Sequence, residues 1–300
     1  MTERDLKKTL IGLSTLLPVA LGSYILYKGK TRKVRRESLR GQVVVITGAS
    51  TGIGKSYAIA FAKEGAKIVL AARSVDKIEQ LAKELGVLYH VDAIAIQTDV
   101  SIEEEARRLI DKSIEHFGHI DILINNAGIA SYSYFQDSNL DDHKKMMDVN
   151  YWGTVYCTHA AIPSMIKRNK GRIVNISSVL GKRAMPIMAG YSATKYAMQG
   201  FSDSLRVELK KYNIGITVIC PTTTRTEIVN NALEKDNIKF GSNIGMSSDR
   251  VAKETINAIL DNKREHIIGI GENIGLIINN SFPSLVDTVL TMAPKFMIKD

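Results

Sequence analysis

Two cysteines in 300 residues, Cys157 and Cys220, are too few for a disulfide-stapled scaffold and suit core thiols in a reducing compartment. The six histidines show no metal-ligand spacing. His116 and His119 are three apart, but Gly118 interrupts the helix that would bring them to one face, so no metal is assigned. Acidic residues are outnumbered, 31 against 40 Lys and Arg. The excess is local: residues 1–40 hold ten Lys/Arg against three Asp/Glu, a net of +7, which leaves only +2 of the chain's +9 for the other 260 positions. A nucleic-acid partner is therefore not needed to explain the basic balance. Internal repeats, low-complexity tracts and a second domain are all missing. The sequon Asn175-Ile176-Ser177 falls in a buried strand and carries no weight.

Charge is also missing from Thr9 to Tyr27, a run of 19 positions. At about 1.5 Å per residue, a helix there reaches roughly 28 Å, near the hydrocarbon thickness of a bilayer. Gly12, Pro18 and Gly22 are tolerated in spanning helices. Lys28, Lys30, Arg32, Lys33, Arg35, Arg36 and Arg40 follow, offset only by Glu37. We read 1–8 as a tail, 9–27 as a single-pass membrane anchor and 28–40 as a basic linker. The positive-inside rule then puts the remainder of the chain in the cytosol. A cleaved signal peptide is the alternative, with Lys7-Lys8 leading and small residues at Ala20 and Gly22, but the basic cluster opposes translocation. An interfacial helix would lack its charged face.

What the chain does contain is a set of ordered signals. Val43-Val44-Val45-Ile46 reads as a buried parallel strand. Thr47-Gly48-Ala49-Ser50-Thr51-Gly52-Ile53-Gly54 follows, and then a helical recurrence at Ala58, Ile59, Phe61 and Ala62. A strand, a glycine-rich turn and a helix aim backbone N–H groups at a pyrophosphate. The spacing is Gly-x-x-x-Gly-x-Gly rather than Gly-x-Gly-x-x-Gly, so an ordinary strand-to-helix turn is the competing interpretation.

Asn125-Asn126-Ala127-Gly128, Ser178 and Tyr191-Ser192-Ala193-Thr194-Lys195 come next. Tyr-x-x-x-Lys alone says little, since Tyr24 to Lys28 also fits it. Tyr191, however, opens a stretch with apolar residues at Ala193, Ala197, Met198, Phe201, Leu205 and Leu209, a helical period. Lys195 then lies one turn away on the same face. A free phenol titrates near about 10, and an adjacent ammonium is expected to lower that value towards neutrality. Ser178 follows the strand Arg172 to Ile176, which places its hydroxyl at a strand's C-terminal end, where ligands bind in open α/β sheets.

Taken together, these motifs resemble the short-chain dehydrogenase/reductase family in its one-domain form, over roughly residues 41–270. The resemblance implies an α/β fold with a Rossmann-type doubly wound parallel sheet. It implies Tyr191, Lys195, Ser178 and Asn150 as catalytic residues: Tyr191 passes a proton, Ser178 holds the substrate oxygen, Lys195 binds the nicotinamide ribose and Asn150 completes a water-linked relay. It implies a dinucleotide bound by Gly48, Ser50, Thr51, Gly52, Ile53, Gly54, Arg73, Asp99, Val100, Asn126, Ala127, Gly128, Tyr191, Lys195 and Thr226. One departure stands out: the family's Pro-Gly after the sixth strand is here Pro221-Thr222, and the β-branched residue restricts the backbone.

Cofactor choice follows from charge. After the strand Lys67 to Ala72 comes Arg73, where an NAD site carries an acid; Asp76 is expected to cap the next helix instead. Arg73 suits a 2′-phosphate, so NADP(H) is favoured over NAD(H).

Strand candidates recur near 43–48, 67–72, 93–97, 120–125, 172–177, 215–220 and 266–270 with helices between, which predicts about seven parallel strands in a single domain over 41–272. Met146, Met147 and Trp152 are placed in the long helix before the fifth strand, as core or subunit packing. Residues 273–300 form a C-terminal apolar extension that packs on the domain or a sister subunit, or touches a membrane surface. The expectation is a membrane-held, NADP(H)-dependent oxidoreductase interconverting a lipophilic ketone or aldehyde and its alcohol, as a homodimer or homotetramer. The alternatives are a 3-ketoacyl reductase of fatty-chain elongation and a non-catalytic dinucleotide-binding scaffold.

Overall fold

The computed structural model describes residues 39–234, 245–269 and 272–297. The anchor expected at 9–27 lies outside them. Among the described residues no helix is long and apolar enough to cross a membrane.

Seven strands form one parallel sheet: β1 (Val43–Thr47), β2 (Lys67–Ala72), β3 (Ala93–Gln97), β4 (Ile122–Asn125), β5 (Gly171–Ile176), β6 (Ile214–Pro221) and β9 (Glu265–Ile268). Their order is β3-β2-β1-β4-β5-β6-β9. Two short strands, β7 (Thr224–Arg225) and β8 (Met246–Ser247), pair separately. The central strands are mostly apolar because helices cover both faces. All five residues of β1 are buried, and each such aliphatic side chain contributes on the order of 1.5–3 kcal/mol. Val43 and Val45 pack against the helices α3 (Glu103–Phe117), α5 (Gly153–Lys167) and α6 (Ala189–Glu208). Val44 and Ile46 point to the opposite face by strand alternation. On that face α1 (Gly52–Lys63) meets α7 (Ser248–Leu260), and the Tyr57 and Thr255 hydroxyls are 2.9 Å apart.

The strand order reverses between β1 and β4, the position at which doubly wound sheets open a ligand crevice. The glycine turn follows β1 and the Asn126 loop follows β4, so the topology alone puts both at that crevice.

Two local expectations need correction. Ser74, not Asp76, is the N-cap of α2 (Val75–Tyr89); Asp76 lies within its first turn, where its charge suits the helix dipole. The stretch before β5 is not one regular helix. It runs as α4 (Leu140–Met147), a π-helical turn (Asp148–Trp152) and α5. Met146 is buried there, whereas Trp152 is 42 % exposed. Pro163 lies inside α5.

The C-terminal extension forms α8 (Glu272–Ser281), α9 (Pro283–Leu290) and α10 (Ala293–Met297).

Candidate active site

The turn after β1 is closed so tightly that only glycine fits two of its positions. Gly48 has φ +65°, and a Cβ added there would lie 2.8 Å from Ala127 Cα. A Cβ on Gly54 would lie 2.1 Å from the Gly48 carbonyl oxygen. Gly52 packs beside Thr226, whose Cβ would be 3.2 Å from an added one. The backbone is thereby bared towards the crevice at the start of α1, a cradle suited to a pyrophosphate.

The β4 loop is fastened to this turn. Thr47 Oγ1 accepts the N–H groups of Asn126 and Ala127, both at 3.0 Å. Asn126 Nδ2 donates to the carbonyls of Thr47 and Gly48 at 2.9 and 3.2 Å. One residue earlier, Asn125 Nδ2 donates to Asn175 Oδ1 at 2.9 Å and Thr158 Oγ1 at 3.0 Å, stitching β4 to β5 and α5. Asn175 continues the chain to Ser202 Oγ at 2.8 Å.

Asn150 sits in the π-helical turn and is fully buried. Its Oδ1 accepts Ile129 N–H at 2.8 Å, and its Nδ2 donates to the Ile129 carbonyl at 2.9 Å and to Thr194 Oγ1 at 3.0 Å. Thr194 Oγ1 in turn donates to the Tyr191 carbonyl at 2.7 Å. Both polar atoms of the Asn150 side chain are thus committed to clamping the loop after β4 onto the helix that carries Tyr191. Gly128 faces the same point: a Cβ there would be 3.3 Å from Asn150 Oδ1 and 3.8 Å from Lys195 Nζ.

Tyr191, Thr194 and Lys195 lie in the first turns of α6, all buried. Lys195 Nζ donates to the Ile176 carbonyl at 2.8 Å and stands 5.5 Å from the centre of the Tyr191 ring. Burial pushes the Lys195 ammonium down to about 8, so it stays mostly charged at neutral pH. Burial pushes the Tyr191 phenol up, the nearby Tyr132 ring adds to this, and a hydrogen bond with Ser178 opposes it. The expectation that the ammonium holds this phenol acidic is not met in this structure: burial raises the phenol, and Lys195, which gives a proton to the Ile176 carbonyl, is not among the groups that act on it. Ser178 Oγ accepts the Leu180 N–H at 3.1 Å, which leaves the hydroxyl hydrogen for another acceptor.

Apolar walls close around the phenol. Ala130, Met146, Leu180, Ile187 and Met188 are buried with Tyr191 in one cluster, and Tyr132, Met185 and Met297 pack against it. Ile187 has φ +62°, a left-handed conformation that a β-branched residue rarely adopts, in the loop facing Tyr191. Burial pushes the Tyr132 phenol up to about 12. Glu234 fastens the loops above: its Oε2 accepts Ser131 Oγ at 3.0 Å and Ser133 Oγ at 2.5 Å, and its Oε1 accepts Asn139 N–H at 3.2 Å.

The other expected residues lie further along the crevice. Asp99 and Val100 follow β3; the Asp99 carboxylate accepts the Ser101 N–H at 3.0 Å and its hydroxyl at 2.6 Å, and Val100 packs on Gly153. Arg73 follows β2 and is exposed, its guanidinium without a partner among the described residues. Thr222 adopts no left-handed backbone and its N–H donates to the Ile268 carbonyl at 3.0 Å, so the lost glycine is structurally unnecessary here.

Comparison with known proteins decides the family. The short chain dehydrogenase family profile matches residues 42–237. The chain belongs to the short-chain dehydrogenase/reductase family. It is thereby an oxidoreductase. It is 33 % identical over 292 residues to dehydrogenase/reductase SDR family member 7B of Mus musculus, covering 94 % of this chain and 87 % of that one. A short chain dehydrogenase/reductase from Burkholderia phymatum, crystallised in complex with NAD, superposes with a TM-score of 0.75 at 25 % identity, covering 82 % of this chain and 95 % of that one. An alcohol dehydrogenase from Thermococcus sibiricus, complexed with 5-hydroxy-NADP, gives 0.69 at 26 % identity, covering 76 % and 96 %.

Thr47, Thr194, Tyr132 and Glu234 were not singled out from the sequence. Thr47 carried a signal, a lone hydroxyl ending an aliphatic strand ahead of the glycines. Glu234 carried none, since its partners are about a hundred residues away.

Proposed function

We propose that this chain interconverts a lipophilic carbonyl compound and its alcohol, using NADP(H), at a membrane held by residues 9–27 with the enzyme domain on the cytosolic side. The observation that carries this reading is the meeting of Tyr191, Ser178 and Lys195 at the C-terminal ends of β5 and its neighbours, beside a glycine cradle shaped for a dinucleotide. When bound, the nicotinamide supplies or takes up the hydride. The chain's own residues handle the oxygen and its proton. Ser178 donates its hydroxyl hydrogen to the substrate oxygen, and Tyr191 carries the proton given to that oxygen in reduction. At neutral pH the phenol carries its proton, available to the substrate oxygen in reduction. Lys195 keeps N–H groups beyond the one given to Ile176 with which to hold a ribose hydroxyl. A water-linked relay at Asn150 would run through its main-chain carbonyl, which accepts Thr154 Oγ1 at 3.0 Å.

Arg73 supports NADP(H): it is exposed and its guanidinium has no partner among the described residues, at the position after β2 where an NAD site carries an acid. The aliphatic and methionine walls around Tyr191 support an apolar substrate, since thioethers adapt to irregular hydrophobic shapes.

The test is turnover of hydrophobic ketones and 3-ketoacyl thioesters with NADPH and with NADH, repeated with Tyr191→Phe. Ketone reduction with NADPH, lowered by about 10²–10⁴-fold in the variant, is expected. Full activity in the variant overturns the proton assignment, and a thioester-only activity favours the elongation reductase.

A further inference from the structure

The C-terminal helices carry an apolar row that the fold leaves uncovered. Phe282, Leu285, Val289 and Met292 follow at intervals of three, four and three, which places them along one side of α9 and its flanks. They are 62, 59, 60 and 54 % exposed. Val286 and Leu290, offset from that row, are partly buried instead. Ile277 and Ile278 of α8 add two more exposed aliphatic side chains. A surface helix ordinarily turns its apolar stripe inward; here the larger apolar row faces out.

The segment carries little charge. Between residues 273 and 294 the only charged side chain is Asp287, and it is ion-paired with Arg183. Thr288 Oγ1 donates to the Ser284 carbonyl at 2.9 Å and Thr291 Oγ1 to the Thr288 carbonyl at 2.7 Å, so both hydroxyls are satisfied within the helix.

The same segment reaches the reaction centre. Met297 packs against the apolar cluster that holds Tyr191, and the Arg183–Asp287 pair ties α9 to the loop that follows Ser178.

We propose that α8 to α10 form a lipid-facing rim, whose stripe of Phe282, Leu285, Val289 and Met292 docks on the bilayer surface and admits a membrane-dissolved substrate towards Tyr191. This rests on the reading of residues 9–27 as an anchor. The occupant is a lipid surface rather than a second copy because seven basic residues against one acidic between 28 and 40 draw the chain to anionic headgroups. Tethering also raises the effective concentration of lipid at the stripe, so a modest apolar contact suffices.

The test uses the full chain with Trp152→Phe, which removes its one indole, and Leu285→Trp. It is reconstituted into phosphatidylcholine–phosphatidylserine vesicles, with plain or brominated acyl chains. Flotation with the vesicles and at least twofold quenching of the indole at position 285 are expected, with the same probe in α2, placed by Val87→Trp, left unquenched. Flotation without quenching at position 285 overturns the rim and leaves the anchor standing. Failure to float overturns both. Equal quenching of the two probes overturns the rim, as does a blue shift that depends on protein concentration and not on lipid, the mark of a second copy on the stripe. Leu285→Glu combined with Val289→Glu gives a second readout: KM for a bilayer-partitioning ketone is expected to rise tenfold or more, with KM for a short water-soluble ketone unchanged. An equal change in both sinks the proposal.

Discussion

Lys195 and Ile176 are joined by a 2.8 Å hydrogen bond from the ammonium to the last carbonyl of β5. The bond fixes the amine at the strand end, 5.5 Å from the centre of the Tyr191 ring. A cation held in this way, 3 % exposed, is kept at a cost in folding free energy. Its charged form is disfavoured by desolvation while one carbonyl dipole only partly compensates.

Lys195→Met is therefore expected to abolish turnover and yet stabilise the fold at pH 7, by roughly 1–3 kcal/mol. The sign follows from the lowered value. Between its ordinary 10.5 and about 8 the folded protein binds fewer protons than the unfolded chain, so the wild-type protein gains stability as pH rises through that window. The advantage of the variant should shrink over the same range. Urea unfolding at pH 7 and pH 10 checks this; a variant less stable at both contradicts it.

Carbonyl reduction should lose rate above pH 8. Below that value Lys195 is charged and Tyr191 carries its proton; as pH rises past about 8 the ammonium is lost first. The kcat/KM profile with saturating NADPH measures it. Alcohol oxidation, which needs the phenol deprotonated, should stay low over the same range, because burial holds Tyr191 above its ordinary value.

Asn150→Ala removes three hydrogen bonds and leaves the Ile129 N–H and carbonyl and the Thr194 hydroxyl to find other partners. A loss of about 1–3 kcal/mol in stability is expected. Because the clamp positions the helix turn under Tyr191, kcat should fall at least tenfold with KM for the dinucleotide little changed. Steady-state kinetics beside thermal unfolding separates the two; a stability loss without a kcat loss would make Asn150 purely structural.

Arg73→Ser should weaken NADPH binding by about 10–100-fold, the worth of a charge-assisted contact, and leave NADH binding nearly unchanged. Isothermal titration with each dinucleotide decides. Equal losses would mean that Arg73 contacts a part the two cofactors share.

Much of this architecture is legible in the residues themselves. The seven strands announce themselves as short β-branched runs because both faces of a parallel sheet are buried, and the glycines announce the turn because nothing else fits at Gly54. Tyr191 and Lys195 share a helix face by simple periodicity. The π-helical turn at Asn150 is not legible, since Val149, Tyr151 and Trp152 carry the apolar run straight through it. Ser74 was passed over for Asp76 because both are good caps and only the backbone separates them. The protonation of Tyr191 is not legible for a different reason: spacing reports that two residues are near, but not which atom a flexible ammonium reaches.

Glu234 acts as a buckle between two straps. One strap is the loop from Ser131 to Asn139, the other the segment after Thr226, and both lie over the pocket that contains Tyr191. Three bonds converge on one carboxylate, and the Ser133 and Ser131 hydroxyls hold this carboxyl below the usual carboxylate range. As the medium is acidified through that low value the carboxylate takes up a proton and the buckle slackens, so the mouth of the cleft should come loose in acid before the sheet beneath it does. At neutral pH one carboxylate holds both straps, so neither loosens without giving up bonds to the other.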